Sequence, residues 1–256
     1  MNLDHQLQGK LKTLRLGGLT ETLDVRLQQA QSASMGYVDF LQLLVQDEIE
    51  RRESKKLSLR LAKAAFDEEK TIEGFDFNFN PKINHKLIRD LATCTFVEKG
   101  EHVLLYGPAG TGKSHIAQAL GHQACRIGYD VLFTKAVKLF RFLLAGRADQ
   151  TWDKRTRKYL HPDLLIIDDF GLASLTQTQA EDFYEIVSER HLNSSLIITS
   201  NRPPQDWIAL FPDPVMANSA LDRLSHHAHH LIMEGESYRK KLKPKPSNPS
   251  KPKGGN

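Results

Sequence analysis

A chain of 256 residues, 40% hydrophobic and 26% charged, holds enough apolar residues for one large domain or two small ones and falls in the ordinary soluble range. Its apolar stretches are short and broken by charge, its N-terminus has no apolar signal core, and its two cysteines, Cys94 and Cys125, form no CxxC pair. These features exclude a membrane-spanning helix, argue against secretion and a disulfide framework, and place the chain in a reducing cytoplasm. The formal net charge of +4 is uneven: residues 239–256 hold seven Lys and Arg and no acid, so the remainder, with 28 bases against 31 acids, carries −3.

Residues 1–70 read as an all-helical domain. Leu7, Leu11 and Leu14 recur at one-turn spacing, as do Leu19, Leu23 and Leu27, with Gly17-Gly18 breaking the pattern between them. A third helix is expected from about Tyr37 to Phe66, with Phe40, Leu41, Leu44, Val45 and Ile49 on its early apolar face. Its second half turns basic: Arg52, Lys56, Arg60 and Lys63 form a stripe, widened by Arg51 and Lys55. The acids Asp47, Glu48, Glu50 and Glu53 could relieve a merely solvated face through neighbouring-turn pairs. They cluster before the stripe rather than within it, which makes the stripe a candidate contact for nucleic acid.

Residues 71–84 read as a junction between domains. Phe75, Phe77 and Phe79 alternate and Pro81 follows, so an extended segment is expected, with its rings on one side against the next domain or against a bound base. From residue 85 to 238 strands alternate with helices, the pattern of a parallel sheet with crossover helices. Strands are expected at 102–106, 130–134, 164–168, 195–199 and 229–233, and helices at 113–127, 136–144, 177–191 and 215–226. Residues 239–256, rich in Pro, Lys, Ser and Gly, cannot bury enough apolar surface to fold alone. They form a basic tail suited to nucleic acid or to solubility.

The central motif is Gly107-Pro108-Ala109-Gly110-Thr111-Gly112-Lys113-Ser114, which follows the apolar strand HVLLY and opens a helix. Its glycines let backbone N–H groups converge on phosphate oxygens, and the helix N-terminus adds its positive dipole end. Lys113 is placed to reach the β- and γ-phosphates of ATP, and the Ser114 hydroxyl to ligate Mg2+. The run LLIIDD then delivers two carboxylates at the end of a buried strand, where ligands of open α/β sheets gather. Asp168 is expected to hold Mg2+ and Asp169 to polarise the attacking water. Asn201, at the end of SLIITS, either orients that water or caps the turn before Pro203-Pro204. A second basic cluster, including Arg155, Arg157 and Lys158, is a further candidate DNA contact.

Beyond the generic phosphate loop, the chain resembles AAA+ ATPases of the DnaC/IstB clade, and within them the IstB-like helpers of insertion-sequence transposition. YGPAGTGKSH, DLLIIDDFG, IVSERH, ITSNRP, FPDPV, LDRLSHH and GESYR carry the resemblance over nearly the whole chain. It implies a five-stranded parallel P-loop NTPase core preceded by a small helical domain. It also implies an ATPase that assembles on double-stranded DNA and assists a transposase, with a replicative helicase loader as the alternative. By the same resemblance Asn201 is the polar sensor and Arg239 the sensor arginine. Arg223 is the arginine finger that reaches a neighbouring subunit's nucleotide, which implies a homo-oligomer. One departure stands out: many AAA+ proteins end this acidic strand in Asp-Glu, where this chain has Asp168-Asp169. Slow basal hydrolysis, raised by DNA or a partner, is the corresponding expectation.

Overall fold

The computed structural model describes residues 5–238. The chain divides after Lys63 into two compact units. That boundary falls inside the third helix, earlier than the expected one at residue 70.

The first unit holds α1 (His5–Thr13), α2 (Gly17–Ser32) and α3 (Tyr37–Ala64). Leu11, Leu23 and Leu44 form its small core, with Leu16, Leu19, Leu27 and Phe40 packed around them. The glycine pair does more than interrupt a pattern. Gly18 lies in the first turn of α2, and a Cβ there would sit 2.6 Å from Glu48 Cα, so only glycine lets α2 approach α3 this closely. The Gly18 N–H donates to Glu48 Oε2 at 2.6 Å, which sets a carboxylate against the positive end of α2. Arg26 grips Asp47 with two hydrogen bonds at 2.9 and 2.7 Å. The expected apolar face of α3 is only narrowly used: Leu44 is buried, whereas Leu41, Val45 and Ile49 stay exposed.

In the second unit, α4 (His85–Ala92) and α5 (Thr95–Glu98) lead into β1 (His102–Tyr106), the phosphate loop and α6 (Lys113–Ile127). Then come β2 (Val131–Lys135), α7 (Ala136–Ala148), α8 (Trp152–Leu160), β3 (Leu164–Phe170) and α9 (Gln177–Arg190). β4 (Ser195–Ser200), a 3-10 turn (Pro204–Leu210), α10 (Pro214–His226) and β5 (Ala228–Ile232) complete it. All pairings are parallel, in the order β2-β3-β4-β1-β5. The five expected strands are present within a residue or so at each end, apart from two further residues at the end of β3. Helices α4, α5 and α8 and the 3-10 turn have no counterpart among the expected elements.

Burial explains the sheet. Leu104, Leu105, Ile166 and Ile197 are fully buried, as central strands covered on both faces require. On one side Phe170 stacks on Phe183 at 4.5 Å between centroids and meets Trp207 at 4.7 Å. Arg190 is also buried, with its guanidinium donating to the carbonyls of Tyr159, Leu160, Asp163 and Ser195, so it ties the ends of α8, α9 and β4 together. Both cysteines are free and buried, and burial pushes the Cys94 thiol up to about 11. Among the described residues no helix is long and apolar enough to cross a membrane.

The segment with the alternating phenylalanines departs from expectation. It is a succession of turns, closed by Phe75 N–H to Ile72 O and Phe79 N–H to Asp76 O, not an extended strand. Phe75 and Phe77 meet edge to face at 4.9 Å between centroids; Phe75 also packs edge-on to His115, Phe77 lies 4.5 Å from His85, and Phe79 turns to meet Tyr238 edge-on. Phe66, just upstream, stacks on His122 of α6 at 4.1 Å. These contacts make residues 64–84 part of the second unit rather than a free linker.

Candidate nucleotide site

The strand order sets the site. β4 lies between β1, which feeds the phosphate loop, and β3, which carries the acids. Loop, acids and the end of β4 therefore meet at the C-terminal edge of the sheet, where ligands of open α/β folds bind.

Gly107, Gly110 and Gly112 all have positive φ, at 142°, 82° and 98°, which a side chain would resist. Space is short as well: a Cβ on Gly107 would lie 2.4 Å from Met233 O, and one on Gly112 2.5 Å from the Phe75 ring. Thr111 Oγ1 donates to Pro108 O at 2.9 Å and pins the turn. The Lys113 ammonium folds back into the loop, donating to the carbonyls of Gly107 at 2.8 Å and Pro108 at 2.7 Å. Tyr238 N–H donates to Gly110 O, so the chain beyond β5 lies against the loop.

Ser114 Oγ donates to Asp168 Oδ1 at 2.8 Å. Asp168 is 2% exposed, and burial pushes its carboxyl up against the hydrogen bonds that favour its charged form. Asp169 has φ 58°. It lines a cleft of about 750 Å³ together with Gly112, Lys113, Ser114, Asn201 and Tyr238, and Phe75 and Phe79 form part of another wall. The structure thus brings together the phosphate loop, Asp168, Asp169 and Asn201. Arg223 does not line this cleft. Its guanidinium lies 4.9 Å over the Tyr184 ring and donates to Tyr184 Oη at 2.5 Å and Ser219 Oγ at 3.1 Å. Arg239 lies outside the described residues, as does the basic tail.

The candidate DNA contacts differ in burial and in their contacts within the chain. Arg52 donates to Glu48 at 2.6 Å and to Arg15 O, and Arg51 pairs with Glu21. Lys56 and Lys63 are exposed and Arg60 is half-buried. Arg155 is engaged within its own domain by Thr151, Phe142 O and Asp149, whereas Arg157 is exposed. Lys158, also exposed, sits 4.9 Å over the Phe142 ring.

The sequence reading missed Thr199, whose hydroxyl donates to Asp168 Oδ1 at 2.5 Å and accepts from Asp169 N–H at 3.0 Å. A signal was available: a hydroxyl near the end of an otherwise apolar strand, two residues before Asn201. Tyr184, the partner of Arg223, had no comparable signal, because it joins two helices far apart in the chain.

A family model described as IstB-like ATP binding protein matches residues 9–246. A Mycobacterium tuberculosis protein, named as an ATP-binding protein in an insertion sequence, is 46% identical over 94% of this chain and 96% of its own length. A Pseudomonas aeruginosa protein, named as an ATP-binding protein of insertion sequence IS21, is 36% identical over 94% of this chain and 91% of its own. Among solved structures, DnaI superimposes with a TM-score of 0.57 at 20% identity, covering 65% of this chain and 92% of that one. The DnaC helicase loader gives 0.52 at 20% identity, covering 58% and 87%. At such identities the structural likeness is one of fold.

Proposed function

The chain belongs to the family of IstB-like ATP-binding proteins, and from that premise we propose that it hydrolyses ATP with Mg2+ and uses the nucleotide to govern assembly on double-stranded DNA in support of a transposase. The observation that carries the enzymatic part is the meeting at the phosphate loop of Ser114 and Asp168, 54 residues apart in sequence and 2.8 Å apart in space, with Asp169 lining the same cleft as Ser114.

The residues fit a hard divalent cation. Ser114 and Asp168 offer oxygen donors only, and they already lie within hydrogen-bond distance of each other. When bound there, Mg2+ would neutralise charge on the β- and γ-phosphate oxygens. The chain's own groups supply the rest. Loop N–H groups and Lys113 hold the phosphates, for which Lys113 must exchange its two carbonyl partners for phosphate oxygens. Asp169 accepts a hydrogen bond from the water that attacks the γ-phosphorus, and Asn201 fixes that water's approach. As the new P–O bond forms, the bond to the β,γ-bridging oxygen breaks and ADP departs with its electron pair.

Arg223 is the arginine finger of this reading, presented to the nucleotide of an adjacent copy of the chain. Arg239 is the sensor arginine of the subunit's own nucleotide. Lys56, Arg60 and Lys63 of α3, with Arg157 and Lys158 of α8, are proposed to meet the DNA backbone. Relatives named for insertion sequences support the transposition role, whereas the likeness to helicase loaders is one of fold alone.

The deciding experiment measures Mg2+-dependent phosphate release with and without duplex DNA, beside Lys113→Ala. Slow turnover, stimulated by DNA and abolished in Lys113→Ala, is the expected result. A protein that binds ATP and assembles on DNA without releasing phosphate under any condition would be a nucleotide-gated scaffold and not an ATPase.

A further inference from the structure

Strands β3 and β4 do not run in simple register through the site. Ile167 pairs with Ile198 and Phe170 with Ser200, so two residues, Asp168 and Asp169, oppose the single residue Thr199. This is a β-bulge, in which the extra residue redirects side chains that a regular strand would send to opposite faces. Here its consequence is visible. Asp168 bonds Ser114 at the phosphate loop, and Asp169, the next residue, lines the same cleft.

Two hydroxyls of β4 occupy the places where regular ladder bonds are lost. Thr199 Oγ1 takes the Asp169 N–H at 3.0 Å and gives its proton to Asp168 Oδ1 at 2.5 Å. One residue on, Ser200 Oγ donates to Phe170 O at 2.8 Å and so closes the far side of the bulge. Ser200 O in turn accepts from Gly107 N–H at 3.3 Å, where the phosphate loop begins. Thr199 and Ser200 are each 1% exposed, so water does not compete for these bonds.

We propose that Thr199 is a positioning residue for the acidic pair: its buried hydroxyl holds the bulge that turns both Asp168 and Asp169 toward the phosphate loop. It touches neither nucleotide nor water, and acts through the two carboxylate-bearing residues it joins. The proton it gives to Oδ1 fixes the rotation of the Asp168 carboxylate, and the bond it takes from Asp169 fixes the backbone that aims the second. The proposal rests on the reading that this pair serves Mg2+ and the attacking water.

A threonine-to-valine change removes the hydroxyl and keeps the shape, and serine restores the hydroxyl, so Thr199→Val and Thr199→Ser form the test. Four quantities are read in the full-length protein: kcat and KM for ATP with duplex DNA present, the thermal midpoint, and the Mg2+ concentration needed for tight binding of a fluorescent non-hydrolysable ATP analogue. Thr199→Val is expected to lower kcat by about 10- to 100-fold, the scale of one lost hydrogen bond to a charged group. KM should stay near wild type, the thermal midpoint should fall by only a few degrees, the Mg2+ requirement should rise, and Thr199→Ser should recover most of each loss. The proposal is overturned if Thr199→Val keeps wild-type kcat and Mg2+ requirement. It is equally overturned if Thr199→Ser is as impaired as Thr199→Val, or if the thermal midpoint collapses in step with kcat. Should the wild type itself release no phosphate, the ATPase reading fails, and the Mg2+ dependence of analogue binding still decides the role of Thr199.

Discussion

Asp169 sits in the left-handed region with φ 58°, and that conformation bears directly on why this chain ends its acidic strand in Asp-Asp. A non-glycine residue pays about 1–2 kcal/mol to adopt the left-handed region, and Asp and Asn pay least because their short side chains bond locally. A glutamate would reach farther toward the water but would fit this backbone less well. Asp169→Asn is therefore expected to keep the fold and ATP binding while losing turnover by about 100-fold or more, since removing one group aimed at the reacting atoms costs on that scale. Asp169→Glu, which restores the pair common in AAA+ proteins, is expected to lose stability by about 1 kcal/mol and to gain no rate. Urea denaturation and steady-state turnover of the two variants check this. A faster, equally stable Asp169→Glu protein would show that carboxylate reach, not backbone conformation, limits the site.

At the scale of elements, β1 and β4 are joined by more than their ladder, and the join is sensitive to acid. His102, at the start of β1, is fully buried and accepts the Leu196 N–H of β4 through Nδ1 at 3.2 Å. Burial, reinforced by the charge of Arg190 and by His191 and His227, lowers its pKa from 6.5 to about 4. The folded chain thus keeps His102 neutral to about pH 4, whereas the unfolded chain protonates it near 6.5. Stability contributed by the neutral ring is complete above pH 6.5 and is lost as pH falls from 6.5 toward 4, by about 3 kcal/mol in all. Urea midpoints of the wild type and His102→Gln between pH 7 and 4.5 should converge as the pH falls. Parallel curves would mean that His102 titrates normally. The sheet was legible in the sequence because buried parallel strands such as LLIID and SLIIT are continuous apolar runs bounded by polar turns. The phosphate loop was legible because it is local. What escaped was set by tertiary contact. Alternation at Phe75, Phe77 and Phe79 suggested an extended segment, but the backbone closes into turns there, and the rings take their places from His115, His85 and Tyr238, which lie elsewhere in the chain. The bulge at Asp168–Asp169 was invisible for the same reason, since register belongs to a pair of strands and not to either alone.

For the molecule as a whole, the placement of Arg223 sets the last prediction. Its guanidinium is held on α9 and α10 by Tyr184 and Ser219 and does not line the chain's own cleft. Under the proposed function it completes the site of a neighbouring copy, where a fixed cation stabilises charge on the transferred phosphoryl group. A subunit then has two separable duties: to hold ATP, through Lys113, and to lend a cation, through Arg223. Lys113→Ala should destroy the first and spare the second, and Arg223→Ala the reverse. Each variant alone is expected to be inactive, with Arg223→Ala still binding ATP. Mixed in equal amounts, they should regain part of the wild-type turnover, because some Arg223→Ala subunits will face a neighbour whose Arg223 is intact. The recovered rate should rise with total protein concentration, as assembly requires. Turnover by Arg223→Ala alone at the wild-type rate would remove Arg223 from the site, and two inert variants that stay inert on mixing would confine its action to its own chain.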